Sequence, residues 1–370
     1  MQMRIIITFL FLCLSTGIFA QKKGPAINLI PNPGFEQFSS PPIGWFYRGS
    51  DFTSLMRFWD SPTNASPDAY GQNIRVPAHW KSNGFHLQKA HKGESMIGLT
   101  MYGCENGKPH CREYVQIRLN EELVIGQNYY VEFYVSKLKN GMASNNFGLA
   151  FSIDPVRLEI DQDIEIDPLF NDVRVIDNED HEWVKVRGGF QADSAYNFLI
   201  VGNFYKDIDT KVEKTNNQTL NYSYYYFDDF LVKKIPPILD VPEEKEDLRK
   251  QVLTEGKIIK LKNIYFDFDK WDLHPRSFIE LNKLISVLEK NPGMNIQIHG
   301  HTDSIGSDNY NIYLSRKRAK SVISYLSDNG IDVTRLSYKA YGSSEPVESN
   351  KDSEGRALNR RVEFKILNIK

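Results

Sequence analysis

Apolar and polar positions follow two different periods along the chain. Between residues 28 and 235 the runs are short. Gln116-Ile-Arg-Leu119, Tyr129-Tyr-Val-Glu-Phe-Tyr-Val135, Trp183-Val-Lys-Val-Arg187, Phe198-Leu-Ile-Val201 and Tyr224-Tyr-Tyr-Phe-Asp-Asp-Phe-Leu-Val232 alternate or stay apolar, with turn residues between them. A period of two sends successive side chains to opposite faces, so these read as strands of an all-β sandwich, without an amphipathic helix. Lys206 to Asn221 is polar and reads as an exposed loop. Prolines and charges in Pro236–Asp247 mark a stiff, solvated linker over residues 236–256, expected to hold two domains apart. Leu248 to Glu255 is expected to make a short helix leading into the second.

From 257 to 370 the period lengthens and the order β-α-β-α-β-β emerges. Ile258 to Phe268 is the first strand region. Pro275 opens a helix whose buried stripe is Phe278, Leu281, Ile285 and Leu288. Met294, Ile296 and Ile298 make a strand, and a helix follows from about Asn309 to Leu326, closed by Asn329-Gly330. Leu336-Tyr338-Ala340 and Val362-Phe364-Ile366 are the last strands, separated by a long polar loop from Tyr341 to Leu358. Helices returning to one face of a mixed sheet make this an α+β domain.

The second helix has one anomaly. At about 100° per residue, with Leu314 at zero, Val322, Leu326, Ala319, Ile312 and Ile323 fall in one arc and Arg316, Lys317 and Lys320 fall opposite. Arg318 falls inside the apolar arc, beside Asn311. A guanidinium there needs a partner, and Asp303 at the end of the preceding strand is the nearest by chain geometry. Two readings stay open: a structural Asp303–Arg318 ion pair, or a pair splayed to hold a ligand carrying both charges.

Composition narrows the choice of function. In 370 residues, 45 Lys and Arg against 47 Asp and Glu leave the chain nearly neutral, which gives no support for nucleic-acid binding. Aromatics reach 12% and concentrate before residue 236, as in a β-rich domain with large side chains between sheets. Met1 to Ala20 reads as a secretory signal, with Arg4 before an apolar core from Ile5 to Leu14. Bulky Phe11-Leu12 before Cys13 argues against a lipoprotein signal. Cys104 and Cys111 then form an even pair in an exported chain, which reads as a disulfide rather than a metal site with His110.

Gly300-His-Thr-Asp303, Asn311-x-x-Leu-Ser-x-x-Arg318-Ala and Asn359-Arg-Arg-Val-Glu-Phe364 together resemble the signature of the OmpA C-terminal, peptidoglycan-binding family. The resemblance spans roughly Lys257 to Ile366. It implies that the ligand is the diaminopimelic acid of the peptidoglycan stem peptide, a zwitterion at its free end. Asp303 would accept from the ammonium and Arg318 would clamp the carboxylate, with Asn311 beside them. Thr302 and the Tyr265–Asp269 segment, Asp269 included, would form the near wall, and Arg360 or Arg361 would reach further carboxylates.

Asn28-Leu-Ile-Pro-Asn-x-Gly-Phe-Glu36, Trp183-x-x-Val and Phe227-Asp-Asp-Phe-Leu-Val232 resemble a galactose-binding-like, carbohydrate-binding-module jelly roll. In that type the first and last strands lie side by side and acidic groups there often hold calcium; Glu36 and Asp229 are the matching positions. Calcium and a metal-free sheet edge both stay open, since calcium wants six to eight oxygens. Trp45, Trp59, Trp80 and Tyr70 are candidates for a sugar platform, though large aromatics are more usual in sandwich cores. No cofactor is required. The expectation is a non-enzymatic exported protein of the Gram-negative outer membrane or periplasm that grips peptidoglycan and presents a module for a glycan or an envelope protein. The alternative is a carbohydrate-active enzyme retained at the wall. A flagellar stator-type anchor would need an apolar span before residue 257, and 236–256 are too polar.

Overall fold

The computed structural model describes residues 27–40, 48–73, 75–85, 87–103, 112–178, 181–215, 219–236, 247–266 and 270–369. The expected signal, Trp45, the Cys104–Cys111 pair, most of the linker and Asp269 lie outside these residues.

The N-terminal region contributes β1 (Trp59–Asp60), β2 (Asp68–Tyr70), β3 (Met96–Tyr102), β4 (Val115–Arg118), β5 (Asn128–Lys137) and β6 (Ala143–Ser144). It continues with β7 (Phe147–Ser152), β8 (Phe170–Asp172), β9 (Val184–Gln191), β10 (Phe198–Gly202), β11 (Val212–Glu213) and β12 (Ser223–Lys234). Two five-stranded sheets result, in the orders β1-β4-β10-β7-β8 and β2-β3-β12-β5-β9. Ile117, Leu149 and Leu199 from the first meet Leu99, Phe133 and Phe227 from the second in one buried cluster. The start of the chain lies against its last strand: Leu29 N donates to Val232 O at 2.8 Å.

Two expectations for this region need correction. Short helices α1 (Gly49–Leu55) and α2 (Ala78–Ser82) occur where none was expected, because seven and five residues are too few to express a helical period. The 206–221 stretch is also more than an exposed loop. β11 pairs with β6, Thr210 and Leu220 are buried, and Asn203 Nδ2 donates to Thr210 Oγ1 at 2.9 Å.

The C-terminal domain consists of β13 (Ile258–Leu261), α3 (Ser277–Lys290), β14 (Asn295–His301), α4 (Asp308–Asp328), β15 (Leu336–Gly342), α5 (Ser353–Asn359) and β16 (Val362–Asn368). The sheet order is β13-β16-β14-β15, with β14 and β15 parallel and the other pairs antiparallel. The first strand is shorter than expected and continues only as a Phe266–Leu273 bridge. The polar loop after β15 contains α5, capped where Asp352 Oδ1 accepts from Gly355 N at 2.7 Å. Phe278, Leu281, Ile285 and Leu288 on α3 are buried as expected.

α4 docks unusually close to β14. A Cβ on Gly300 would meet Ser315 O at 2.3 Å, so only glycine admits the helix here. Ser315 Oγ accepts from Gly342 N at 3.0 Å, and Thr302 N donates to Gly342 O at 2.8 Å. These contacts set the rotation of α4. Leu314, Ala319, Val322 and Leu326 are buried, while Ile312 and Ile323 are only half-buried.

The two regions touch, which corrects the expectation that the linker keeps them apart. Phe278 stacks on Tyr130 with ring centroids 5.9 Å apart, and Asn282 Nδ2 donates to Gly189 O at 2.8 Å. Tyr130, Ile235 and Leu248 belong to the same buried cluster as α3 and α4. Apolar surface on α3 outweighs the reach of a stiff linker. None of the helices among the described residues is long and apolar enough to cross a membrane.

Candidate ligand-binding site

The close packing of α4 brings Asn311 and Arg318 to the inward side, 1% and 4% exposed. Arg318 Nε donates to Lys270 O at 3.1 Å, and its guanidinium lies 4.9 Å from the centre of the Phe266 ring. Carbonyl and aromatic face both stabilise a buried cation. Asn311 Nδ2 is buried and lacks a hydrogen-bond partner. An orphaned amide donor is costly unless something else satisfies it.

Asp303 does not pair with Arg318 in this structure. Its Oδ1 accepts from Ile305 N at 3.0 Å, and its Oδ2 accepts from Arg360 Nη1 at 2.7 Å. Arg360 arrives there because the end of α5 is stapled down. Asn359 Oδ1 accepts from Val347 N at 2.8 Å and Glu348 N at 3.0 Å, and its Nδ2 donates to Asn350 Oδ1 at 2.9 Å. Asn350 Oδ1 also accepts from Ser304 N at 3.2 Å, tying this loop to the turn after Asp303. Sequence reasoning noted Asn359 within its motif but missed its bracing role and that of Asn350. A polar loop shows no period that would reveal it.

The remaining candidates separate. Arg361 does not meet Asp303: its Nε donates to Glu363 Oε1 at 2.6 Å and its Nη1 to Glu345 O at 3.1 Å. Of the two arginines, Arg360 is therefore the one that meets Asp303. Thr302 Oγ1 donates to Asp303 O at 2.9 Å, which shapes the turn and leaves the hydroxyl committed. Tyr265, Phe266, Arg318, Arg360 and Arg361 are among the residues lining a cavity of about 300 Å³. Its wall holds three arginines and two aromatic rings, a combination suited to a carboxylate with an apolar stem.

At the sheet edge, Glu36 Oε1 accepts from Glu94 N at 2.9 Å and Ser95 N at 3.0 Å, and Asp229 Oδ2 lies 2.5 Å from His91 Nδ1. These oxygens face donors rather than converging on a cation, so the arrangement does not fit a calcium cage. Neighbouring Asp228 is pushed up to about 7, chiefly by burial. Of the proposed platform aromatics, Trp59 and Tyr70 are buried core residues and Trp80 packs on a second core cluster.

The OmpA family model matches residues 265–360. The chain is 38% identical over 133 residues to outer membrane protein A of Bordetella avium, covering 36% of this chain and 69% of that protein. It is 40% identical over 104 residues to outer membrane porin F of Pseudomonas fluorescens, covering 28% of this chain but only 32% of that relative. The crystal structure of the peptidoglycan-associated lipoprotein from Burkholderia pseudomallei aligns with 31% identity and a TM-score of 0.27, covering 28% of this chain and 87% of that one. Through its C-terminal domain the chain belongs to the OmpA family, and it is a protein of the Gram-negative outer membrane and periplasm.

Proposed function

We propose that the C-terminal domain binds peptidoglycan non-covalently by the free end of a diaminopimelate residue, and that the protein is not an enzyme. The observation that carries this reading is the buried, unpartnered Asn311 Nδ2 on the same helix face as Arg318. A ligand carboxylate would satisfy that amide and accept from the Arg318 guanidinium. Asp303 keeps lone pairs for an ammonium, since each carboxylate oxygen can accept more than one bond. Arg360 then holds Asp303 in place, and it replaces the simple two-residue clamp with a three-charge arrangement. Family membership supports the same ligand, as does the name of the peptidoglycan-associated relative.

The N-terminal region is read as a jelly-roll binding or structural module of the galactose-binding-like type. Its two antiparallel sheets and the Leu29–Val232 contact between first and last segments support that reading. The experiment is sedimentation of the full chain with purified sacculi. Arg318→Ala should lose about 2–5 kcal/mol of binding, because it strands the groups around it. Retention equal to wild type would refute the assignment. Lys317→Ala is the control.

A further inference from the structure

A second cluster lies on the other face of the same sheet. His299 and His301 are two residues apart on β14, so they share a face, and Glu363 on β16 is the register partner of His299. Ile296 and Ile298, out of phase with them, point into the core beneath α3 and α4. Among the described residues, these three are the one group of His, Cys, Asp and Glu side chains whose ligand atoms all lie within 4.8 Å of one another.

His301 supplies an independent observation. It is 3% exposed, and neither of its ring nitrogens has a hydrogen-bond partner. Its Nε2 stands 3.6 Å from Glu363 Oε2, beyond hydrogen-bond range. Two ligands each about 2.0–2.1 Å from a tetrahedral ion are separated by about 3.3 Å, so the gap suits a shared cation better than a direct bond.

We propose that His299, His301 and Glu363 form a site for a divalent cation of the zinc class, with a fourth position left for water. Two imidazoles and one carboxylate favour zinc, nickel or copper over calcium or magnesium, which want oxygen ligands. The surroundings hold the ligands as outer partners of metal sites do. Arg361 Nε occupies Glu363 Oε1 at 2.6 Å and leaves Oε2 to face His301. Gln297 Oε1 lies 3.1 Å from His299 Nε2, and Tyr341 stacks on His301 with centroids 4.8 Å apart. The competing reading is a His301–Glu363 pair that only fastens β14 to β16.

Zinc chloride titrated into the metal-stripped full chain, free of any polyhistidine tag, decides between them by calorimetry and thermal unfolding. The expected result is one zinc ion bound per chain with a raised unfolding midpoint, and no response to calcium chloride. His301→Gln and His299→Gln should each weaken zinc binding by about tenfold or more. His299→Gln leaves the His301–Glu363 pair intact, so it decides the matter even if His301→Gln fails to fold. No stoichiometric zinc binding, or wild-type affinity in folded His299→Gln, would overturn the proposal.

Discussion

Arg360 Nη1 sits 2.7 Å from Asp303 Oδ2, joining residues 57 positions apart. The contact leaves Arg318, the inward cation of α4, on the Lys270 carbonyl and the Phe266 ring instead. Asp303 and Arg318 thus do not neutralise each other directly, and Asp303 keeps lone pairs for a ligand.

Arg360→Ala should therefore affect binding more than folding. Its side chain is 42% exposed, so the pair with Asp303 should contribute only about 0–1 kcal/mol to stability. Sacculus binding is expected to fall clearly while the urea midpoint hardly moves. Unchanged binding would make Arg360 a brace alone.

Gly300→Ala tests the helix–strand approach. The added Cβ would lie 2.3 Å from Ser315 O, a backbone atom that cannot swing away. Overpacking of this kind costs about 1–3 kcal/mol. Urea unfolding should show that loss, and sacculus binding should weaken with it because α4 carries Asn311 and Arg318. Full stability in the variant would mean that α4 sits farther from β14 in solution.

Two buried groups give stability opposite pH dependences. Asp68 accepts from Tyr224 Oη at 2.6 Å, yet burial pushes it up to about 8 from 3.8. Its folded form holds a proton that the unfolded form has lost, so its contribution is complete below 3.8 and disappears as pH rises through 8. His299 is pushed down to about 4 from 6.5, chiefly by burial, so its contribution is complete above 6.5 and is lost as pH falls through 4. In urea melts across this range, Asp68→Asn should flatten the decline on the alkaline side and His299→Gln the decline on the acid side. Parallel profiles for wild type and variant would contradict the corresponding shift.

The contact between regions should be measurable as well. Asn282 Nδ2 donates to Gly189 O at 2.8 Å, and its Oδ1 accepts from Tyr325 Oη at 2.7 Å. Asn282→Ala should cost about 1–3 kcal/mol, since it leaves a buried hydroxyl without its acceptor. Calorimetry should then separate the unfolding of the two regions. A single transition at the wild-type midpoint would show that the contact contributes nothing.

Periodicity alone determined the order of the four strands and two long helices from 257 onward, though not α5, together with the buried stripe of α3 and the inward placement of Arg318 and Asn311. Those features depend on residues within a few turns of one another, which a linear pattern records. Resemblance in three short motifs added the family. Tertiary structure decided which cation meets Asp303, because Arg360 reaches it only after α5 and the Asn359–Asn350 staple fold the loop back. It also decided that Arg361 faces Glu363, that His299, His301 and Glu363 converge, and that α3 packs against Tyr130 despite the linker. Each of these joins separate segments through cross-strand register or apolar burial, and neither leaves a periodic trace in either segment by itself.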